Sequence, residues 1–256
     1  MDPEATSASA GIKEAAAWAA LYDDPALAGR GFVFRRSVEL ACEACREWAD
    51  GGQTWIDAGS GPGHLARELA ALGPRVIAVD ADAAALAWAR QRETDSVKGR
   101  NAPRFIRSSV TRFPLTEGCV DGVAGASLAG CLTDLEGFLC ESRRVLRPGG
   151  HLVLTATNAA SLLLRVNNVL RRMEYHRARS AAEQRRYRLY DPGEMIAALR
   201  ASGFEPIRLR FFNYVLNAGP WLLPASSVAV RFDCDAALSE GASRMARNFL
   251  VAAERT

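Results

Sequence analysis

Apolar residues change their spacing from segment to segment along this chain, and the changes mark alternating helices and strands. An early helical pattern lies around Lys13–Tyr22, before the turn-like Asp23-Asp24-Pro25. From Phe34 to Trp48, apolar positions recur at helical spacing through Val38, Ala41, Cys42, Cys45 and Trp48, and Asp50-Gly51-Gly52 ends the run. Thr54–Ala58 then reads as a first strand. Leu65, Leu69 and Leu72 mark one face of a helix that Gly73-Pro74 stops. Val76–Asp80 is a second strand, a continuous apolar run ending in an acid, and Ala83–Gln91 a second helix with Asp82 as its N-cap. Phe105–Ser108 and Cys119–Gly125 read as strands three and four. Asp134–Leu146 is a helix with Leu135, Phe138, Leu139 and Leu146 inside, Arg147-Pro148-Gly149-Gly150 a turn, and His151–Ala156 strand five. Two of these strands lack in/out alternation. That pattern fits a parallel sheet covered on both faces, an α/β fold.

The pattern changes after strand five. Ser161–Met173 carries Leu162, Leu163, Val166, Val169, Leu170 and Met173 interleaved with arginines. Asp191-Pro192 starts a helix that runs to Ala201, Ile207–Val215 is a long strand, Leu216–Arg247 is irregular and Phe249–Ala253 closes the chain. The expected organisation is a helical extension or lid over residues 1–49, then one domain over 50–256 with cap segments inserted at about 159–190 and 216–247.

Composition alters this picture little. The 256 residues are 49% hydrophobic and 24% charged, enough for one α/β domain with additions, and a net charge of +3 does not argue for nucleic acid by itself. The six cysteines lie mostly in apolar patterns. Cys42-x-x-Cys45 sits mid-helix on the apolar face, where a redox motif would open a helix after a strand, so it reads as core packing. Met1–Ala10 has no basic stretch followed by an apolar run, and no apolar run reaches the ~20 residues of a membrane span. A cytoplasmic protein with reduced thiols is expected.

The chemistry gathers at Trp55-Ile56-Asp57-Ala58-Gly59-Ser60-Gly61-Pro62-Gly63-His64-Leu65. A strand feeding a glycine turn that opens a helix brings bare backbone N–H groups and a helix N-terminus to one point, a nucleotide-type corner. A dinucleotide fingerprint would need its third glycine at position 64, which is histidine. Asp57, before the turn, can take a ligand's ammonium group, and Asp80, ending strand two, can accept from both ribose hydroxyls. An amino-acid head on a nucleoside describes S-adenosylmethionine, with S-adenosylhomocysteine as the product of methyl loss.

These residues resemble the class I S-adenosylmethionine-dependent methyltransferases, of the small-molecule kind that includes the ubiquinone-pathway and natural-product methylases. The match runs through Asp57–Gly63, Val76–Asp80, Phe113-Pro114-Leu115, Val120-Asp121-Gly122-Val123, Val145–Leu152, Gly203-Phe204-Glu205 and Asn248–Ala253, in the family's order. The resemblance implies a Rossmann-like three-layer sandwich with a seven-stranded, mostly parallel sheet whose last strand is antiparallel. It implies that Asp57, Gly59 and Gly61 hold the methionine part, Asp80 holds the ribose and Ala81 packs beside the adenine, with Ser60, Gly63 and Ser127 also among the cofactor-binding residues. The family's usual acid at the end of strand three is replaced here by Ser109-Val110, so the Ser109 hydroxyl and Val110 backbone stand in for it. Gly130 occupies the place where many relatives carry a histidine after strand four.

Methyl transfer is an in-line displacement at a sulfonium methyl, so the protein mainly orients the acceptor and excludes water. A phenol or acid needs at most one proton acceptor. His64 opens the first helix as a lining or capping residue, His151 begins strand five away from the active face, and His176 in the inserted segment is the general-base candidate. Tyr22, Tyr175, His176, Tyr187, Tyr214 and Trp221 are candidates for the acceptor pocket, and Tyr22 with Arg30 resembles residues that fold over the cofactor. Between 165 and 188 lie Arg165, Arg171, Arg172, Arg177, Arg179, Arg185, Arg186 and Arg188. They read as solvated arginines on a pocket-covering helix, or as a basic amphipathic surface for an anionic membrane or substrate.

The function expected is O-methylation of a phenol, quinone or natural-product metabolite, by a monomer or homodimer and without a metal. N- or C-methylation is the alternative, as is methylation of tRNA or another polyanion through the arginine segment, although no separate nucleic-acid module is present. A cofactor-binding protein without turnover is a reading of a different class, on account of Ser109 and Gly130.

Overall fold

A computed structural model gives the fold, and the structure describes residue 19 and residues 28–96, 102–166, 188–214 and 242–256. Its centre is a seven-stranded sheet in the order β3-β2-β1-β4-β5-β7-β6. The strands are β1 (Thr54–Ala58), β2 (Arg75–Asp80), β3 (Arg104–Arg107), β4 (Val120–Gly125), β5 (Leu146–Thr157), β6 (Phe204–Phe212) and β7 (Asn248–Arg255). β1 to β5 pair in parallel, and β7 runs antiparallel to both its neighbours. The expected sandwich with its antiparallel last strand is therefore present.

The helices are α1 (Ala28–Cys45), α2 (His64–Ala71), α3 (Ala83–Ser96), α4 (Leu135–Val145) and α5 (Pro192–Ala201). Each sheet face has its own core. On one, Trp55, Val76, Ala78, Ala124, Val153 and Leu250 meet Leu40, Ala41 and Cys45 of α1 and Leu65 and Leu69 of α2. On the other, Ile56, Val123, Leu152, Leu154 and Phe249 meet Phe138 and Leu139 of α4 and Met195 and Leu199 of α5. A central strand buried on both faces has no polar side to show, and β1 and β4 are buried along most of their length.

Helix starts follow local chemistry. Asp134 Oδ1 accepts from Gly137 N at 2.8 Å to cap α4, and Asp191 Oδ1 accepts from Gly193 N at 2.8 Å to cap α5, with Pro192 in the first turn. Cys42 and Cys45 are buried free thiols in the α1 core, as core packing requires. Burial pushes the Cys42 thiol up to about 11 and Cys45 well above the ordinary range, so neither forms a reactive thiolate.

Some boundaries moved. β5 begins at Leu146 rather than His151, because Val120 pairs with Leu146 and Gly122 with His151, so the Arg147-Pro148-Gly149-Gly150 turn bulges out within the strand. Gly149 takes φ 73° there. β6 starts three residues earlier than expected and ends where Asn213 adopts φ 63°. α3 runs on to Ser96, past the expected end at Gln91. Of the Lys13–Tyr22 helix only Ala19 is described, and it is helical. Residues 167–187 and 215–241 lie outside the described residues.

Parallel strands this close leave no room on the α1 face at Gly122. A Cβ there would fall onto the indole of Trp55, which is fully buried and donates Nε1–H to Gln53 Oε1 at 2.9 Å. Gly122→Ala is expected to lose about 1–3 kcal/mol, the usual range for overpacking, read as a lower urea midpoint at unchanged m-value.

Candidate functional site

β1 delivers the chain to the glycine turn, and the end of β2 holds it there. Gly59 N and Ser60 N both donate to Val79 O, at 2.8 and 3.0 Å, and Gly61 N donates to Asp80 Oδ2 at 2.7 Å. The other Asp80 oxygen accepts from Asp82 N at 2.8 Å. Gly59, at φ 66°, faces Leu128, whose Cδ1 would lie 2.6 Å from an added Cβ. Side-chain-bearing residues rarely adopt such a φ, so both sterics and backbone demand glycine.

A cavity of about 720 Å³ opens beside this turn, at the carboxyl ends of β1, β2 and β4. Its walls include Asp57, Gly59, Ser60, Gly61, Asp80, Ala81, Ser109, Val110 and Ser127, so nine of the residues singled out from the sequence come together. Gly63 does not line it. It caps α2 in the left-handed region, and a Cβ there would meet the Phe105 ring at 2.9 Å, so this glycine serves helix–strand packing. Tyr214 is buried just beyond β6 and is not part of the lining. Tyr22, Tyr175, His176, Tyr187 and Trp221 lie outside the described residues, as does Arg30's side chain. His64, the first residue of α2, does line the cavity.

Other walls were not singled out. Phe34 and Val38, one turn apart on α1, form an apolar side, and Leu128 and Leu132 after β4 form another. The helical period had marked Val38 as core. That is true of its packing, but a period cannot tell a core from a cavity wall. Thr111, which also lines the cavity, could have been found from its spacing to Ser109.

Asp57 carries the site's electrostatics. It is 2% exposed, it lines the cavity, and its Oδ2 has no hydrogen-bond partner. Burial pushes its pKa up to about 8, against a lowering hydrogen bond from the Ala66 backbone, with the Asp80 charge adding to the rise and Arg67 opposing it. The buried Ser60 Oγ is likewise without a partner. A cation placed beside Asp57 would favour the ionised form.

At the other end, Ser109 Oγ and Thr111 Oγ1 lie 2.8 Å apart, and Thr111 N donates to Ser109 Oγ at 3.2 Å. The loop is fixed from both sides. Ser108 N donates to Asp80 O at 3.0 Å, and Phe113 N donates to Glu141 Oε1 at 2.6 Å. Glu141 is held below the ordinary carboxylate range by its hydrogen bonds to Arg144. Ser127, after β4, takes φ 58° and donates its N–H to Thr155 Oγ1 at 2.7 Å. A left-handed serine beside a cavity is the kind of local strain that functional sites retain.

Residues 56–154 match the methyltransferase domain family. Over these residues the chain is similar to S-adenosylmethionine-dependent methyltransferases. The chain is 32% identical over 127 residues to the malonyl-[acyl-carrier protein] O-methyltransferase of Pectobacterium atrosepticum, covering 49% of this chain and 47% of that protein. It is 32% identical over 136 residues to a probable S-adenosylmethionine-dependent methyltransferase of Mycolicibacterium smegmatis, covering 52% and 49%. The chain thus spans about half the length of the curated relatives it matches. In structure it is similar to the magnesium protoporphyrin IX methyltransferase of Synechocystis PCC 6803 with bound S-adenosylhomocysteine, at a TM-score of 0.66 and 15% identity over 93% of each chain.

The methyltransferase cofactor fits the donor set. The orphaned Asp57 oxygen suits its ammonium group, Asp80 its ribose hydroxyls, and the Ser109–Thr111 hydroxyls its adenine edge.

Two outcomes test these assignments. Pairing Asp57 with an ammonium group requires the carboxyl to lose its proton. S-Adenosylhomocysteine affinity is therefore expected to rise with pH by up to about tenfold per unit, the limit for one proton. The rise levels off near about pH 8, where the ligand's own α-amine begins to lose its charge. Asp57→Asn flattens that slope and weakens binding, as read by calorimetric titration across pH. Because folding raises this pKa from 3.8 to about 8, the folded protein keeps a proton that the unfolded chain has lost across that window. Asp57 therefore lowers stability increasingly as pH rises through it. In the ligand-free protein Asp57→Asn is expected to raise Tm more at the alkaline end of that window than at the acid end.

Ser109→Asp supplies a carboxylate for the adenine amino group. It is expected to tighten S-adenosylhomocysteine binding by roughly fivefold, about 1 kcal/mol. A ligand lacking the 6-amino group should gain nothing.

Proposed function

We propose that the chain transfers the methyl group of S-adenosylmethionine to an oxygen of a small-molecule acceptor of the phenol, quinone or natural-product class. The observation that carries the reading is Asp57: a buried carboxyl with one unpartnered oxygen, beside a glycine turn that itself hydrogen-bonds to Asp80. The cofactor supplies an activated sulfonium methyl. The protein's work is to hold its two ends, through Asp57 and Asp80, and to keep water from the reacting atoms.

The rest of the cavity supports a neutral acceptor. Phe34, Val38, Leu128 and Leu132 provide an apolar wall, and Asp82 and Asp134 stand at its rim, both already engaged as helix caps. Among the described residues no lysine or arginine lines it, so these walls offer a phosphate no ammonium or guanidinium group. The Pectobacterium relative is named an O-methyltransferase, which supports oxygen as the accepting atom. His176 is the proposed proton acceptor for a phenol, and Tyr22, Tyr175, Tyr187, Tyr214 and Trp221 complete the proposed acceptor side.

Incubation with methyl-labelled cofactor and a panel of phenols, carboxylic acids, amines and tRNA tests the reading. Label is expected in ethers or esters. Label confined to nitrogen, carbon or tRNA overturns it, as does S-adenosylhomocysteine binding without turnover of any acceptor. His176→Ala is expected to lower kcat by about 10²–10⁴, the range for general-base catalysis, with S-adenosylhomocysteine affinity unchanged.

A further inference from the structure

Three stretches of chain meet beyond the end of β5, outside the cavity. Fully buried Asn158 donates from Nδ2 to Ser243 O and Ala246 O, each at 2.9 Å, and its N–H donates to Arg247 O at 2.9 Å. Asn158 also forms a parallel bridge with Tyr190, where Ala159 N donates to Tyr190 O and Tyr190 N to Thr157 O, both at 2.9 Å. Ser161 Oγ donates to Met245 O at 3.4 Å. Residues 158–166, 188–190 and 243–247 are thus fastened into one corner by buried polar bonds.

What this corner turns outward is apolar and basic. Leu162, Val166, Leu189 and Met245 are 46, 47, 45 and 42% exposed, four of the six large apolar side chains that stand out from the described surface. Residues 162–166 are helical, so Leu162 and Val166, four apart, share a face. Each stretch also contributes one exposed arginine, Arg165, Arg188 and Arg244. The corner borders the cavity. Arg188 N donates to Gly130 O at 2.8 Å and its Nη1 to Thr133 O at 3.1 Å, and Thr133 lines the cavity wall.

We propose that this corner is a docking surface for an anionic lipid membrane. Exposed aliphatic side chains at this corner enter the headgroup–acyl boundary, and the guanidinium groups among them meet lipid phosphates. A protein partner would be expected to find aromatic anchors or a pocket, and the corner presents neither among its described residues. A second copy of the chain across a two-fold axis would set this arginine-bearing patch against itself. Docking in this way turns the cavity rim at Thr133 toward the lipid, the direction from which an apolar acceptor would arrive. The surface itself does not depend on the reaction proposed above.

Sedimentation of the full chain with vesicles tests it, using phosphatidylcholine alone or with phosphatidylglycerol as about a third of the lipid. Anionic vesicles are expected to bind at least ~10-fold more tightly than neutral ones, with the preference falling as salt rises. Leu162→Glu with Met245→Glu is expected to weaken binding about tenfold, and Arg165→Glu with Arg244→Glu to remove the preference for anionic lipid. An unchanged thermal shift with S-adenosylhomocysteine confirms that both variants are folded, and either pair alone suffices if the other fails to fold. The proposal is overturned by absent or charge-indifferent vesicle binding, or by binding that both variants leave intact. A dimer that Leu162→Glu dissociates in light scattering, without vesicle binding, also overturns it in favour of self-association.

Discussion

The site depends on the strap between the glycine turn and the end of β2. Three consecutive N–H groups, of Gly59, Ser60 and Gly61, are spent on Val79 O and the Asp80 carboxylate. The β1–β2 register, with Ala58 opposite Val79, lets them reach. Burial does most to raise the Asp57 pKa, and the same register brings the Asp80 charge near enough to add to the rise. A cationic head beside Asp57 would offset both, so the geometry that builds the turn also suits it to a cationic ligand.

Binding and stability oppose each other here. A buried acid with a pKa of about 8 and an orphan oxygen is a liability to the ligand-free fold. Ser127 in the left-handed region is another, held by Thr155 Oγ1. The rest of the sheet makes such features tolerable: its central strands are sealed on both faces, and neither liability interrupts either core. Local strain at a site, supported by a rigid scaffold, is the general pattern.

The sheet and its cofactor end were legible in the sequence because their signals are local. An apolar run, an acid and a glycine turn follow one another within Trp55–Gly63, and strand-ending Asp80 sits one β-α-β unit later. Other features were less legible because they are set by contacts far apart in sequence. Gly63 was grouped with the binding glycines by spacing alone, while its lack of a Cβ is needed by Phe105, 42 positions away on β3. Phe34 and Val38 became cavity walls only once α1 had packed beside β4 and β5. Arg147–Gly150 was read as a turn before the strand, whereas it bulges out within it, since the strand's start at Leu146 depends on its partner Val120.

Helix α1 spans the distance between two unlike neighbours. Near its start Phe34 and Val38 form one side of the cavity, and toward its far end Glu43 pairs with Arg210 at 3.1 Å, while Glu47, just past the helix, pairs with Arg208 at 2.6 Å on the outermost strand β6. Exposed pairs of this kind contribute roughly 0–1 kcal/mol each, too little to matter as stability. A helix turns about 100° per residue, so a slip of one position would swing both apolar side chains out of the wall. Burial of Leu40, Ala41 and Cys45 against the sheet holds that rotation, and the same packing that closes the core on this face shapes the chamber beside it.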